Sequence, residues 1–313
     1  MNKKPKLFLM VGLSASGKST IAKGLAEDHK AVIVSSDAIR EEICGNVFDQ
    51  SKNEEVFKIF HKRIRKYLYE KRNVIADATN ITMKSRRAII NNVKKMDVEI
   101  IAYIVPKRIE ECIRDNMDRE HPVPEEVIYK QEKRFQIPFI EEGFDRIIIH
   151  DFDFSLRYKL YPLEIIIKMD DFNQKNPHHN MDLRTHCSFT YNLYTLGKST
   201  LYSYEDGFYM GVRLHDIGKL FTQTFDEDGI AHYKNHSSIG SYYVLSNLYN
   251  PNEELEDKTQ FLLDCCFLIN YHMFPFSWNT DSIKNKWKRR FGEYKYDMLM
   301  RFNECDISRV EVE

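Results

Sequence analysis

A glycine-rich segment near the start of the chain constrains its fold more than any other feature. Gly12-Leu-Ser-Ala-Ser-Gly17-Lys18-Ser19 fits the pattern G-x-x-x-x-G-K-[ST]. An apolar run, Lys6–Val11, precedes it and predicts a buried strand, and Ser19–Glu27 follows with helical periodicity. Between a strand and a helix, such a loop turns its backbone N–H groups inward, and the helix N-terminus adds partial positive charge. The alternative is a chance Gly/Ser turn, but the flanking elements favour a phosphate-binding loop.

Short apolar runs alternate with helical patterns over the rest of the first 150 residues. Further strands are predicted at Ala31–Ser35, Asn73–Ala78, Val98–Val105 and Arg146–His150. Helices are predicted between them at Glu54–Lys71, Lys84–Met96, Arg108–Met117 and Glu125–Gln136. Apolar strands that alternate with helices form a parallel sheet covered on both faces, so an α/β fold of the P-loop NTPase type is expected.

The pattern changes after His150. One more strand-like run, Glu164–Lys168, precedes a polar stretch at Asp170–Pro177. Helical periodicity then dominates, at His186–Leu196, Gly207–Leu220, Ser237–Leu248, Lys258–Tyr271 and Lys295–Ile307. We therefore predict an α/β P-loop domain over residues 1–152, a linker over 153–175 and an all-α domain over 176–313.

Composition excludes some classes of protein. The net charge of −1 argues against sequence-blind coating of nucleic acid, although residues 1–150 carry 28 Lys and Arg against 23 Asp and Glu. The remaining residues are acidic and hold seven of the 11 histidines, which hints at phosphate binding beside metal binding. No apolar run approaches the ~18 residues of a membrane span, and the six cysteines form no C-x-x-C pair. We expect a cytoplasmic protein with reduced thiols and no membrane partner.

The phosphate-binding loop predicts a site for ATP or another NTP. Lys18 can reach the terminal phosphates, and the Ser19 hydroxyl can ligate Mg²⁺. The residues expected to contact the nucleotide are Gly12, Ser14, Ala15, Ser16, Gly17, Lys18, Ser19 and Thr20.

Polar residues at the ends of two other strands lie at the same predicted edge of the sheet. Asp37 and Arg40 follow the second strand, where Asp37 can accept the proton of an attacking hydroxyl and Arg40 can hold a substrate phosphate. Asp37 could equally be the N-cap of a helix. The segment Asp77-Ala-Thr-Asn80 ends the third strand, either as further polar groups facing the loop or as simple turn chemistry.

A segment that joins two predicted helices carries Arg114 and Arg119. Arginines on such a segment can close over the nucleotide and neutralise charge during transfer. The alternative is a solvated helix end, because acidic residues alternate with these arginines.

Together these motifs resemble the P-loop polynucleotide 5′-kinase family over about residues 6–150. The resemblance implies that Lys18 and Ser19 serve ATP and Mg²⁺ and that Asp37 is the general base on a 5′-hydroxyl. It also implies that Arg40 holds the acceptor phosphate and that Arg119 is the lid arginine. The lid departs from the family pattern, because position 115 is Asp and Arg114 lies one residue away.

The sharpest pattern after residue 150 is His215-Asp216-Ile-Gly-Lys219. Adjacent helical residues point about 100° apart, so His215 and Asp216 can share an ion only with help from other helices. Candidates for the remaining ligands are His186, His236, His272 and Asp306. Imidazole and carboxylate without thiolate suit Mn²⁺, Fe, Co²⁺, Ni²⁺ or Zn²⁺, and such an ion lowers the pKa of bound water.

This set resembles the HD phosphohydrolase superfamily over roughly residues 176–313. The resemblance implies a core of His186, His215, Asp216 and Asp306, with one or two divalent transition metals. His236 and His272 match the extra ligands of two-metal members, in which Asp216 is the bridge, and Lys219 would contact a substrate phosphate. Alternatively, His236 and His272 are ordinary polar residues at helix ends, and Lys219 is a solvated lysine at a helix end.

The stretch Lys284–Arg290 with Trp278 and Trp287 mixes aromatic and cationic residues. It fits a single-strand-binding surface and, equally, an amphipathic helix that buries its tryptophans.

A 5′-kinase joined to a metal phosphoesterase implies healing of broken RNA or DNA ends. One domain would phosphorylate 5′-OH ends, and the other would remove a 3′-phosphate or 2′,3′-cyclic phosphate, leaving single-stranded ends for a separate ligase. The resemblance extends to bifunctional end-healing enzymes, with the order of the domains inverted. Two alternatives are a small-metabolite kinase fused to an HD nucleotidase and a nucleotide-gated HD regulator without kinase activity.

Overall fold

The computed structural model describes residues 4–150, 167–170, 172–176, 181–196, 207–247 and 258–307. The chain divides into two compact units. One is Met1–Glu132 with Pro138–His150, and the other is Lys133–Ile137 with Asp151–Glu313.

The first unit is built on a five-stranded sheet with the strand order β2-β3-β1-β4-β5, and every neighbouring pair is parallel. The strands are β1 (Lys6–Val11), β2 (Ala31–Ser35), β3 (Asn73–Asp77), β4 (Glu99–Ile104) and β5 (Arg146–Ile149). The helices are α1 (Lys18–His29), α2 (Ser36–Cys44), α3 (Asn53–Tyr69), α4 (Met83–Val93), α5 (Ile109–Met117) and α6 (Glu125–Glu132). The predicted parallel α/β architecture of the N-terminal part is confirmed.

The strands of this unit are continuous apolar runs in the sequence because their side chains are buried in the core. On the central strand, Leu7 and Leu9 lie on one face and Phe8 and Met10 on the other, and all four are buried, so both faces of the sheet are covered. The longest of these helices, α3, buries one stripe at a spacing of four residues: Val56, Phe60, Ile64 and Leu68. The carboxyl ends of β1, β2 and β3 meet at one edge, and that edge carries the glycine-rich loop, Asp37 and Asp77.

The second unit consists mainly of helices. They are α7 (Leu183–Thr195), α8 (Gly207–Leu214), α9 (Lys219–Thr222), α10 (His236–Asn247), α11 (Lys258–Tyr271) and α12 (Asp281–Ile307), the last with non-helical dihedral angles at Gly292. A two-stranded antiparallel ribbon, β6 (Thr224–Phe225) with β7 (Ala231–His232), corrects the all-helical expectation. Gly229, with φ 75°, supplies the left-handed residue in the connecting turn.

Two other expectations for this part differ from the structure. The helix predicted over Gly207–Leu220 ends at Leu214, and the residues from His215 to Gly218 form a turn. Gly218 lies so close to α10 that a Cβ would fall 1.9 Å from the backbone oxygen of His236, so the chain bends where only glycine fits. Of the strand predicted at Glu164–Lys168, residues 167 and 168 are helical, and residues 164–166 lie outside the described part.

The boundary predicted at residue 152 misses a short segment, Lys133–Ile137, that belongs to the second unit. The Ile137 N–H donates to Oδ1 of Asn270 at 2.7 Å, and the Asn270 amide donates to the carbonyl of Phe135 at 3.1 Å. The Tyr271 hydroxyl donates to the Ile137 carbonyl at 3.1 Å. Two side chains of α11 therefore satisfy the backbone of this segment, which no local sequence pattern reveals.

Among the described residues, no helix combines the length and the apolar character that crossing a bilayer requires.

Candidate functional site

The glycine-rich loop lies between β1 and α1 with its backbone bent around an inward-facing concavity. Ala15 and Gly17 adopt positive φ angles of 59° and 91°, which turn successive N–H groups the same way. Gly12 has no room for a side chain, since a Cβ would lie 2.8 Å from the carbonyl oxygen of Val105. Ser16 is buried and its hydroxyl has no hydrogen-bond partner among the described residues. An anion in the concavity would give these donors their partner.

Lys18 begins α1 and is buried beside the loop. Its ammonium donates to the carbonyl of Leu13 at 2.5 Å. Burial lowers the pKa of Lys18, and the nearby carboxylate of Asp77 opposes that shift. A phosphate group would compensate the buried positive charge, so the position suits the terminal phosphates of a nucleotide.

Ser19 and Asp77 form a pair that suits a hard divalent cation. The Ser19 hydroxyl donates to Oδ2 of Asp77 at 2.9 Å, and Asp77 is the last residue of β3. Burial raises the pKa of Asp77, whereas Lys18 and the Ser19 hydroxyl oppose the shift. Hydroxyl and carboxylate oxygens are the protein ligands that Mg²⁺ prefers. Asp77 was not among the predicted magnesium ligands, although an Asp that ends an apolar strand beside the loop was a usable signal.

A contact that sequence patterns do not reveal joins the loop to α6. The Ser14 backbone N–H donates to Oε1 of Gln131 at 2.7 Å, and Nε2 of Gln131 donates to the Ser14 hydroxyl at 2.9 Å. The two residues lie 117 positions apart in the chain. Gln131 therefore holds the start of the loop through both the backbone and the side chain of one residue.

Asp37 and Arg40 lie at the start of α2, next to the loop. The Ser35 hydroxyl accepts the N–H of Ala38 and caps this helix, so the alternative interpretation of Asp37 as N-cap is wrong. Asp37 has an exposed carboxylate that accepts from Nη1 of Arg40 at 3.0 Å. The Arg40 guanidinium is buried, and its Nη2 donates to Oδ1 of Asn53 at 3.0 Å. The exposed carboxylate can meet an acceptor hydroxyl while the guanidinium keeps its position.

The two arginines that were predicted to form a lid have different surroundings. Arg114 is exposed and pairs with its neighbour Asp115 at 3.2 Å. Arg119 is exposed in the loop after α5, and its positive charge contributes to lowering the pKa of Lys18. Two hydrogen bonds between the Asn116 amide and the backbone of Val123, at 2.7 and 3.0 Å, close this loop on itself. Arg119 therefore lies in a loop that hydrogen bonds close, and its charge acts on Lys18.

In the second unit, the six predicted ligands lie together and form what we call the histidine cluster. Its members are His186, His215, Asp216, His236, His272 and Asp306. They come from α7, the turn after α8, α10, the residue after α11, and α12. Asp306 is 15% exposed and the other five are buried.

The two carboxylate oxygens of Asp216 face different imidazoles. Oδ2 lies 3.0 Å from Nε2 of His186 and 3.3 Å from Nε2 of His215. Oδ1 lies 3.1 Å from Nε2 of His236 and 3.6 Å from Nε2 of His272. Ligands that lie about 2.1 Å from an ion and about 90° apart are separated by about 3.0 Å. The carboxylate can therefore bridge two adjacent ions.

Hydrogen bonds on the far side of the rings show that the cluster fits cations. Nδ1 of His215, His236 and His272 each lies 2.8 Å from a backbone carbonyl oxygen, so each ring directs an Nδ1 proton there. Nε2 of His236 and Nε2 of His272 then face each other with lone pairs at 3.2 Å. A cation bound by both Nε2 atoms would remove the repulsion between their lone pairs.

Neighbouring groups adjust the charge of the cluster. Lys219 is buried, and its ammonium lies 2.7 Å from Oδ2 of Asp216 and donates to Oε1 of Gln174 at 2.8 Å. Burial works against ionisation of Asp216, but Lys219 and His215 outweigh it and hold the pKa of this carboxyl well below its usual value. A further possible ligand was missed, because the buried thiol of Cys187 lies within reach of His186 and His215.

Trp278 is buried in the second unit, and the half-buried Trp287 packs against it. Trp278 is 3% exposed and stacks on Trp287 and Tyr296, with ring centroids 6.2 and 5.1 Å apart. Trp287 also contacts Phe291 of the same helix, at 5.0 Å between ring centroids. These contacts favour the amphipathic-helix interpretation over a base-stacking surface.

Comparisons with known proteins match the N-terminal part of the chain. Residues 7–138 match the family model described as an AAA domain. The L-seryl-tRNA(Sec) kinase of Methanococcus maripaludis is 26% identical over 144 residues, which are 44% of this chain and 56% of that kinase. The chain thus matches little more than half the length of this curated relative.

Two solved structures are also similar. One is a chain of the Pnkp1/Rnl/Hen1 RNA repair complex, with 24% identity and a TM-score of 0.37 over 41% of this chain and 42% of that chain. The other is a gluconokinase from Sinorhizobium meliloti 1021, with 16% identity and a TM-score of 0.35 over 48% of this chain and 85% of that chain. The glycine-rich loop after β1 and the all-parallel sheet agree with the family match over residues 7–138, and the architecture of this part is consistent with the P-loop NTPase fold.

Proposed function

We propose that this protein is a bifunctional nucleic-acid end-healing enzyme. Its P-loop unit would phosphorylate 5′-hydroxyl ends, and its helical unit would remove a 3′-phosphate or a 2′,3′-cyclic phosphate. The observation that carries the proposal is the presence, in one chain, of a P-loop beside the exposed carboxylate of Asp37 and of a cluster in which Asp216 faces two sets of imidazoles. The two sites perform opposite chemistry on phosphate esters, and both ends of one break require it.

In the kinase site, the chain's own residues position both substrates. The P-loop amides and Lys18 would hold the nucleotide phosphates, and Ser19 with Asp77 would hold Mg²⁺. Asp37 would take the proton of the attacking hydroxyl, Arg40 would bind the phosphate next to the acceptor, and Arg119 would neutralise charge on the transferring group. The similarity to L-seryl-tRNA(Sec) kinase supports phosphate transfer to a hydroxyl acceptor.

In the phosphoesterase site, the histidine cluster would hold one or two divalent transition metals. A bound ion of this kind supplies an acidified water and polarises a phosphoryl oxygen. Asp216 would hold the metal together with the imidazoles, and the backbone carbonyls keep Nε2 of three imidazoles directed into the cluster. Lys219, already 2.7 Å from this carboxylate, would bind an oxygen of the substrate phosphate.

A second candidate keeps the kinase chemistry and changes the acceptor. The similarity to L-seryl-tRNA(Sec) kinase favours it, because that name places the acceptor hydroxyl on an aminoacyl group rather than on a strand end. A small-metabolite kinase joined to a nucleotidase belongs to the same class of alternative. A nucleotide-gated regulator differs from both, because it transfers no phosphate at all.

One labelling experiment separates these functions. The intact protein is incubated with γ-labelled ATP, Mg²⁺ and a 5′-OH RNA or DNA oligonucleotide, with seryl-tRNA and a pool of small hydroxyl compounds in parallel reactions. Label on the oligonucleotide 5′ end supports end healing, and label on seryl-tRNA or only on a small compound supports the second candidate. No transfer to any acceptor overturns both. Release of phosphate from a 3′-phosphorylated oligonucleotide in Mn²⁺, Co²⁺, Ni²⁺ or Zn²⁺ tests the second site.

A further inference from the structure

A basic groove runs along the outer face of α3, opposite the stripe that packs into the core. Its cationic members follow helical spacing on the exposed side, and His61, Tyr69 of α3 and Asn92 of α4 complete its lining. The groove has a volume of 440 Å³. The exposed cations that line it are Lys58, Lys62, Arg65 and Lys66.

The positive charges of this groove are not neutralised within the described part of the chain. None of its four cations forms an ion pair with a described residue, and no carboxylate lines the groove. Arg63, on another face of α3, differs in this respect because it pairs with Glu42 at 2.7 Å. Clustered exposed cations without carboxylate partners repel one another, and an external anion relieves that repulsion.

The spacing of the cations matches that of a phosphodiester backbone. Lys58 and Lys66 are eight residues apart, which is about 12 Å along a helix. One strand of a stacked nucleic acid carries a charge about every 3.4 Å, so three or four phosphates fit within this length. Tyr69 at the far end is 64% exposed, and the Arg65 guanidinium lies 5.8 Å from its ring centroid. An exposed ring beside a cation suits stacking of a base.

The same helix begins at the candidate acceptor site. Asn53, its first residue, accepts a hydrogen bond from Arg40 at 3.0 Å, and Arg40 pairs with Asp37. Lys58 lies five residues further on, about 7.5 Å along the axis. A strand whose 5′ end reaches Asp37 can therefore continue onto the groove without crossing the core.

We propose that this groove binds the phosphate backbone of a single-stranded nucleic acid whose 5′ end is the kinase acceptor. The inference deepens the proposed function and rests on it. It assigns to α3 two roles, since one face stabilises the sheet and the other selects a polymer over a mononucleotide. A short acceptor reaches Asp37 without touching the groove, whereas a longer strand gains its contacts.

The test compares two charge-matched variants of the intact protein. Lys58→Glu/Lys62→Glu reverses two charges in the groove, and Lys23→Glu/Lys130→Glu reverses two exposed charges on α1 and α6. Fluorescence anisotropy with a labelled 5′-OH 20-nucleotide RNA gives Kd over a series of KCl concentrations. The groove variant should bind at least about 10-fold more weakly, with a salt slope smaller by about 1.4, because each lost contact to a single strand removes about 0.7. The control variant should bind like the unaltered protein.

Kinase assays provide the second readout. The groove variant should raise KM for the 20-mer and leave KM for ATP and for a 5′-OH dinucleotide unchanged, with Lys58→Arg/Lys62→Arg restoring normal behaviour. Equal binding by both Glu variants, or tighter binding to phosphatidylserine vesicles than to RNA, overturns the groove proposal. RNA binding through the groove without phosphate transfer retains the groove and overturns end phosphorylation. Phosphate transfer to the 20-mer that is insensitive to the groove charges retains end phosphorylation and overturns the groove proposal. Circular dichroism checks that each variant is folded.

Discussion

Nε2 of His236 lies 3.2 Å from Nε2 of His272, and Nδ1 of each ring lies against a backbone carbonyl oxygen. Two neutral imidazoles in this arrangement present lone pairs to each other in a buried site. A cation bound between the rings would relieve this repulsion, and Oδ1 of Asp216 lies 3.1 and 3.6 Å from the two Nε2 atoms.

His236→Ala should reduce the metal content of the protein. One imidazole of the His236–His272–Asp216 group disappears, whereas the His186–His215–Asp306 side keeps its ligands. We expect about one fewer equivalent of metal by inductively coupled plasma mass spectrometry after reconstitution with Mn²⁺ or Co²⁺. His232→Ala is the matched control, because His232 lies on the ribbon and pairs with Asp226 outside the cluster. Unchanged stoichiometry in His236→Ala would remove this residue from the ligand set.

Lys18→Ala and Asp216→Asn should separate the two activities. Loss of the buried ammonium removes a charge contact to the nucleotide phosphates and should lower kinase kcat/KM by about 100-fold or more. Loss of the shared carboxylate charge should lower phosphoesterase activity by about 100-fold or more, because both sets of imidazoles lose their bridge. Each variant is assayed for both reactions with labelled ATP and with a 3′-phosphorylated oligonucleotide. A folded variant that loses both activities would contradict the two-site interpretation.

Asp77→Asn should weaken the response of the kinase to Mg²⁺. The carboxylate at the end of β3 accepts the Ser19 hydroxyl, and its replacement by an amide removes the negative charge that a hard cation requires. We expect the Mg²⁺ concentration for half-maximal transfer to rise by about 10-fold or more. Asp97→Asn serves as control, because Asp97 is exposed and its ion-pair partner among the described residues is Lys4. An unchanged Mg²⁺ titration would show that Asp77 has a structural role alone.

Arg86→Leu should destabilise the first unit strongly. Arg86 and Glu142 are fully buried and joined by two hydrogen bonds, so the variant leaves an unpaired carboxylate in the core. The free energy of unfolding should fall by about 3–5 kcal/mol, measured by urea denaturation. Arg63→Leu, which breaks the exposed pair with Glu42, should cost less than about 1 kcal/mol. Similar losses in the two variants would mean that burial adds nothing to the cost, and Arg86→Leu/Glu142→Leu should recover part of the loss.

Helices whose apolar stripe is continuous were predicted well. The spacing of Val56, Phe60 and Ile64 placed α3 within two residues at each end, because a stripe of this kind has no alternative but to pack on the sheet. The end of α8 was not predicted, since Leu214 is followed by further apolar residues. The close approach of Gly218 to α10 ends the helix there, and that approach exists only in the folded chain. The two-residue strands of the ribbon are too short for any periodicity to show.

The same difference between local patterns and long-range contacts applies to the candidate sites. The spacing of Gly12, Gly17 and Lys18 predicted a phosphate-binding loop, because short-range backbone geometry decides how such a loop binds an anion. Gln131 gave no signal, since its contact with Ser14 spans 117 residues. For the histidine cluster, spacing and family resemblance supplied the six residues, and their roles as ligands stay a prediction.

Local sequence patterns therefore determined the parallel α/β unit, the phosphate-binding loop and the candidate residues of each site. Tertiary packing alone decided that Asp77 meets Ser19, that Lys133–Ile137 joins the second unit, and that the two oxygens of Asp216 face different histidines. The reason is physical: hydrophobic periodicity and turn chemistry act over a few residues, whereas the direction of a buried carboxylate depends on helices far apart in sequence.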